Sequence, residues 1–333
     1  MSAPAFIQVY PWQKPVWAQW QAQLAQVGQS YLLAGQAGTG LEGLVHRQMQ
    51  SLLCQATETV PPCGECPACR SFANHTHPDA LFLRPPEDKT VIPIDAVRAF
   101  NEKVFTTSHQ GGRKVGLIAP AEALNESAFN ALLKTLEEPP AGTVLILLTH
   151  APSRLPATII SRCRLWSVPS PTRHQALEWL QSACPEADAP LLKKALSVNW
   201  GAPLEAQRWI EEKGFEFEAQ WQADLKALQQ NQQTVTQRVE VWLKQAEPQR
   251  VLDYFYLWTV QRIRAALYQQ KLPLDPNWLA FQKSVLQART YWHSNVNQTL
   301  LLEALTQEWL AHQQPDYVPA AALQGRLIRG QAI

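Results

Sequence analysis

The chain has 333 residues, 46% of them apolar and only 17% charged, with a formal net charge of +1. That length suffices for two or three domains with large cores, and the near-neutral balance excludes a global basic field for nucleic acid. No apolar run reaches the roughly 18 residues a membrane span needs, and the start, "MSAPAFIQVYPW", has neither the charged nor the long apolar region of a signal peptide, so a cytoplasmic protein is expected.

The first predicted element is a strand, "SYLLAG", running into the glycine-rich stretch "LLAGQAGTGLEGL" (32–44). Gly35, Gly38 and Gly40 follow the spacing of a phosphate-binding loop, which turns a strand into a helix. Such a loop cradles phosphates with backbone N–H groups, neutralises them with a lysine and holds magnesium with a hydroxyl. Here Leu41 and Glu42 occupy those last two positions. Leu41 brings no charge, and Glu42 would repel phosphate. A helix with Leu44, Met49, Leu52 and Leu53 on one face follows.

Four of the six cysteines come next: Cys54, Cys63, Cys66 and Cys69, spaced C-x8-C-x2-C-x2-C. Pairs two residues apart let a tight turn aim both sulfurs at one ion, and four thiolates make a closed tetrahedral zinc site. Pro61, Pro62, Gly64 and Pro67 make the segment loop-like. Metal chemistry is favoured over disulfides or unligated thiols. His75 and His77 are expected to be turn or surface residues, and Cys163 and Cys184 small buried hydrophobes.

"ALFLRP" (80–85) predicts a buried strand and "IDAVRAFNEKVF" a helix with Val97, Phe100 and Val104 on one face. "KVGLIA" (114–119) predicts a strand, with Arg113 and Lys114 flanking it. Its end delivers Ala119 and Pro120 where a magnesium-binding acid would stand; Glu122 falls in the following turn. "NESAFNALLKTLEEPP" predicts a helix capped by Asn125, striped by Phe129, Leu132, Leu133 and Leu136, and ended by Pro139-Pro140. "TVLILL" (143–148) predicts a strand covered on both faces, and "CRLWSV" (163–168) another. Alternating strands and helices imply a parallel sheet flanked by helices.

"PSPT" (169–172) reads as a linker. Three short helices follow to about 212, the first capped by Thr172, the second with Pro190 near its start. From 214 the pattern is helical, with breaks at "EPQ" and "KLPLDP". "VLDYFYLWTVQRIRAAL" (251–267) is apolar around most of its circumference, which predicts burial between other helices.

At residues 111–165 the sequence resembles the AAA+ subunits of bacterial sliding-clamp loaders, the DNA polymerase III gamma/tau and delta-prime group. "FNALLKTLEEPP" and "SRC" (161–163) carry the resemblance; "HPD" (77–79), "IDAVR" (94–98) and the zinc cysteines fit it. It is clear through residue 212 and weaker to the C-terminus, where "NVNQTLLLEAL" (295–305) is similar to the collar region. The degenerate glycine loop, the acid-free strand and the "YPW" start resemble the delta-prime branch more than gamma/tau.

The resemblance implies an AAA+ α/β domain with a P-loop-type parallel sheet and zinc module (1–168), a small helical lid (169–212) and an all-α collar (213–333). It implies gamma/tau and delta subunits as partners in a hetero-pentameric ring, with the sliding clamp and primed DNA reached through that complex. Thr149 falls at the sensor-1 position. "WGAPLEA" (200–206) is similar to the sensor-2 motif, with Leu204 where active subunits carry arginine. Together with the glycine loop this argues that the chain does not hydrolyse ATP. Arg162 would be an arginine finger reaching a neighbouring subunit's ATP, where a planar fixed charge stabilises the transferred phosphoryl group. The residues alone allow a surface ion pair at Arg162 equally well; the motif register selects it over Arg164. Arg98 is a candidate DNA-phosphate contact, and a solvated helix face accounts for it as readily. An active ATPase of the same fold and a zinc-dependent nucleic-acid-binding protein stay open as alternatives.

Overall fold

The computed structural model describes residues 9–26, 30–86, 89–269, 276–292 and 296–312. The chain divides into two compact units, Met1–Leu192 with Gly201–Gln207, and Lys193–Trp200 with Arg208–Ile333. The first eight residues and the predicted break at 271–275 lie outside the described residues.

The first unit is built on five parallel strands: β1 (Ser30–Ala34), β2 (Ala80–Leu83), β3 (Lys114–Ile118), β4 (Thr143–Thr149) and β5 (Arg164–Ser167), in the order β2-β3-β4-β1-β5. Every residue of β1, β3 and β4 is buried, because each strand is paired on both edges and covered on both faces. The two-residue period of a strand sends alternate side chains to opposite layers. Tyr31, Leu33, Val115, Leu117, Val144, Ile146 and Leu148 meet α1 (Lys14–Gln23) and α2 (Leu41–Leu53) on one face. Leu32, Ile118, Leu145 and Leu147 meet α4 (Ile94–Phe105) and α5 (Glu126–Glu137) on the other. The short helix α3 (Pro67–Ala73) lies between α2 and β2 in the chain. Gly116 permits the second layer's close approach: a Cβ there would lie 2.7 Å from the Phe100 ring.

The α/β class, the strand positions and the caps follow the sequence reading. Asn125 Oδ1 accepts from the Ala128 N–H at 2.9 Å. Four readings are corrected, the first two at β2 and the turn before it. "ALFLRP" forms β2, but as an edge strand, with Phe82 37% exposed and in ring contact with His46 and Phe72. Its apolar run covers a sheet margin rather than a doubly buried strand. His77 is buried, and its Nδ1 accepts from the Asp79 N–H at 3.1 Å.

The chain continues through α6 (Ala157–Ile160), α7 (Arg173–Ala183), α8 (Ala189–Val198) and α9 (Pro203–Glu211). Thr172 caps α7 in a reciprocal pair with Gln175, as expected. Cys163 and Cys184 are buried. Lys114 does more than flank a strand. It is buried, and its Nζ donates to the carbonyls of Lys103 and Thr106 and to the Thr106 hydroxyl, at 2.5–2.9 Å. A cation there satisfies the orphan carbonyls at the end of α4.

The second unit holds α10 (Gly214–Gln229), α11 (Val235–Leu243), α12 (Arg250–Tyr268), α13 (Pro276–Tyr291) and α14 (Gln298–Ala311). Trp221, Trp242, Phe255, Phe281 and Trp309 form its aromatic centre. Buried Asp224 is satisfied by Arg238, by the Trp242 indole N–H and by Gln220. Helix α12 departs from expectation. Val251, Leu252, Tyr254, Phe255 and Thr259 are buried, but its residues from Gln261 onward are exposed or half-buried. Apolar content around the whole helix therefore reports burial only over its first half.

Asp79 ties the first unit's loops together. It is fully buried, and its carboxylate accepts from the N–H groups of His109 and Gln110 and from the Ser108 hydroxyl at 2.8–3.0 Å. Burial raises its pKa, but these hydrogen bonds and His77 outweigh burial and hold it below the ordinary 3.8. Asp79→Asn is expected to lower stability by about 1–3 kcal/mol, since an amide NH₂ would face N–H donors. The carboxylate's contribution is complete above pH 3.8 and lost as pH falls from there through the depressed folded value. Thermal melts of both proteins should therefore converge on the acid side of that window.

Candidate functional site

The glycine loop joins β1 to α2, and its backbone has the left-handed turns that the glycines permit: φ is +70° at Gly38 and +80° at Gly40, the residue that caps α2. Other parts of the chain pack against this loop. The Tyr10 ring lies so close to Gly40 that a Cβ there would sit 2.4 Å from it. Trp12 Nε1 and Gln13 Nε2 both donate to the Thr39 carbonyl at 2.9 Å. The Thr39 hydroxyl donates to the Gln36 carbonyl at 2.7 Å. From the other side of the sequence, the Leu204 N–H donates to the Gly38 carbonyl at 3.1 Å, and Glu205 packs its side-chain carbons on Gly38. Tyr10 and Trp12 stack at 5.1 Å, and Trp179 meets both rings edge-on.

The two substituted loop positions have new surroundings. Leu41 is 2% exposed and belongs to the apolar layer with Tyr31, Leu33 and Leu44. Glu42 is exposed in the first turn of α2. At the end of β3, Ala119 and Pro120 offer no ligand atom for a metal in their side chains. Glu122 turns to the protein: its Oε1 accepts from the His150 N–H at 3.0 Å, while His150 Nδ1 lies 2.9 Å from the Gly35 carbonyl. Thr149 is fully buried at the end of β4. Its carbonyl accepts from the Gly35 N–H and its hydroxyl from the Ala151 N–H. The loop, Thr149 and Glu122 are thus brought together, and they hold one another.

Arg162 lies elsewhere, between α6 and β5. Its Nη2 pairs with Glu137 Oε1 at 2.7 Å and its Nη1 donates to the Thr158 carbonyl at 3.0 Å. Arg98 is exposed on α4 and pairs with Asp95 one turn earlier at 3.5 Å, the behaviour of a solvated face.

The four cysteines converge. Cys54 ends α2, Cys66 caps α3 and Cys69 lies within it, and all four sulfurs fall within 4.8 Å of one another. The N–H groups of Cys63, Cys66 and Cys69 donate to the sulfurs of Cys54, Cys63 and Cys66 at 3.3–3.4 Å. N–H donation to sulfur offsets thiolate charge, so this donor set fits a metal ion.

Sequence reasoning anticipated the clustering of the four cysteines. It missed Tyr10, Trp12, Gln13 and Glu205 as the groups that fill the loop, and Glu137 as the partner of Arg162. The "YPW" tripeptide was the one available signal.

A family model described as DNA polymerase III, delta subunit, matches residues 12–172. The DNA polymerase III subunit delta' of Pseudomonas aeruginosa is 38% identical over 326 residues, covering 92% of this chain and 99% of that protein. The subunit of the same name from Escherichia coli (strain K12) is 38% identical over 197 residues, 58% of each chain. A solved DNA polymerase III gamma subunit-related protein of Thermotoga maritima aligns with a TM-score of 0.44 at 18% identity, over 90% of this chain and 99% of that one. With identity of that order sustained along nearly a whole delta' subunit, the chain belongs to the DNA polymerase III subunit delta' family.

Proposed function

We propose that this chain is a non-catalytic subunit of a cytoplasmic clamp loader, supporting ATP-dependent loading of a sliding clamp onto primed DNA while consuming no ATP itself. The observation that carries this reading is the self-filled glycine loop: Tyr10 against Gly40, Trp12 and Gln13 on the Thr39 carbonyl, and Leu41 in the core. A nucleotide would have to displace aromatic packing and hydrogen bonds, and would then find neither lysine nor hydroxyl.

Its partners in this reading are gamma/tau and delta subunits in a ring of five. The division into an ATPase-like domain (1–168), a lid (169–212) and a collar (213–333) belongs to the same proposal. Arg162 is the group this chain gives to chemistry, as a finger set against the phosphoryl group bound by a neighbour. The support is its place in the "SRC" motif and its preserved, partly exposed guanidinium. Arg98 offers a phosphate contact from α4. In Cys54, Cys63, Cys66 and Cys69 the metal is zinc, in a closed structural site that leaves no position for catalysis.

Three measurements test this. Calorimetry on the isolated chain should detect no magnesium-dependent ATP binding; micromolar affinity would falsify the reading. In the reconstituted loader, Arg162→Ala should slow hydrolysis at the adjoining site by on the order of 10³ or more, as for measured fingers, and an unchanged clamp- and DNA-stimulated ATPase would remove the finger role. Elemental analysis of reduced, unchelated protein should find about one zinc per chain; metal-free protein with intact fold refutes the zinc assignment.

A further inference from the structure

Arg162 is not a loose surface side chain. Its Nη2 is held by Glu137 Oε1 at 2.7 Å and its Nη1 by the Thr158 carbonyl at 3.0 Å, while its Nε is enclosed without a hydrogen-bond partner. The two anchors come from different elements, Glu137 from the last turn of α5 and Thr158 from α6. Both anchors are themselves fixed. Leu136, next to Glu137, is buried, and its carbonyl accepts from the buried Ser30 hydroxyl at the start of β1. Ile159, next to Thr158, is fully buried.

A guanidinium has five N–H groups in one plane. Two are engaged here and the Nε–H is enclosed, so one N–H on each Nη is left. The N–H groups left on the two Nη atoms are donors that phosphate oxygens can accept from. Two anchors fix the position of the plane and also its rotation, which a single contact would not. An unanchored arginine would spread over many rotamers and lose that freedom on each encounter. The pair is partly exposed, with side-chain exposures of 28% for Arg162 and 52% for Glu137.

We propose that Glu137 is a positioning residue for Arg162, setting the guanidinium so that its free Nη edge meets the phosphoryl group at the neighbouring subunit's site. This rests on the finger reading above. A carboxylate that instead hid Arg162 as a latch would have the opposite effect when removed.

The test is steady-state ATP hydrolysis by the reconstituted loader with clamp and primed DNA, resolved into kcat and KM. Glu137→Ala is expected to lower kcat about tenfold, since small misplacements of a catalytic group have effects of this size, with KM and subunit assembly unchanged. Glu137→Gln should restore most of the rate, because its amide oxygen accepts the same N–H. Glu137→Asp, with the charge kept but drawn back, should fall with Glu137→Ala, and both of these conservative variants serve if the alanine variant melts early. Glu137→Ala should add nothing in an Arg162→Ala background. Loss of rate in Arg162→Ala with wild-type kcat in Glu137→Ala overturns the positioning role and leaves the finger intact. A faster Glu137→Ala enzyme, a Glu137→Asp that outperforms Glu137→Gln, or additive losses overturn it too. Wild-type rates in Arg162→Ala defeat the finger reading itself, and the inference with it.

Discussion

One carbonyl, that of Thr39, receives two side-chain donors at once, from Trp12 and Gln13. The glycine loop could otherwise admit a ligand, because Gly38 and Gly40 leave backbone exposed where any side chain would close it. The Tyr10 ring against Gly40 and the Leu204 N–H on the Gly38 carbonyl complete the closure from two distant parts of the chain. Each hydrogen bond contributes about 1 kcal/mol net, and the stacked rings about as much again. These contacts join residues 10–13 and 204–205 to the loop. The glycines that elsewhere make room for phosphate here make room for the protein.

The sheet still presents a strand, a glycine turn and a helix, and Thr149 still ends β4 beside them. Beside the loop the Thr149 carbonyl accepts from Gly35 and its hydroxyl from Ala151, and Glu122 Oε1 accepts from His150. Arg162 stands outside this network, on the connection into the edge strand β5. Its two partners, Glu137 and Thr158, lie on α5 and α6 next to the buried Leu136 and Ile159.

Much of this was legible in the sequence because it depends on neighbours in the chain. Strand periodicity, the stripe of α5 and the caps at Asn125 and Thr172 act within a few residues, and all are present in the structure. The cysteine spacing likewise encodes its own geometry. What was not legible depends on partners far apart. Nothing local to Tyr10 says that its ring covers Gly40, and nothing in "LEEPP" says that its first glutamate meets an arginine in a later loop. The burial of Lys114 was missed for the same reason, since it is satisfied by backbone 8 to 11 residues earlier that the fold brings near. Helix α12 and strand β2 were misread differently: apolar content predicted burial, whereas position in the layer decided it.

Leu41 shows why the loop's loss is self-consistent rather than a single missing charge. Its side chain is 2% exposed and packed with Tyr31, Leu33 and Leu44 under the first sheet layer. A lysine at this position would have two routes. Following the leucine path would bury an ammonium among apolar groups, which costs several kcal/mol when no partner is supplied. Turning outward would leave a cavity in the layer, also costly, and would bring the ammonium toward a loop already filled by Tyr10 and Glu205. The core and the plug therefore oppose restoration together. A loop in this state still turns β1 into α2, with Leu41 held in the apolar layer beneath it.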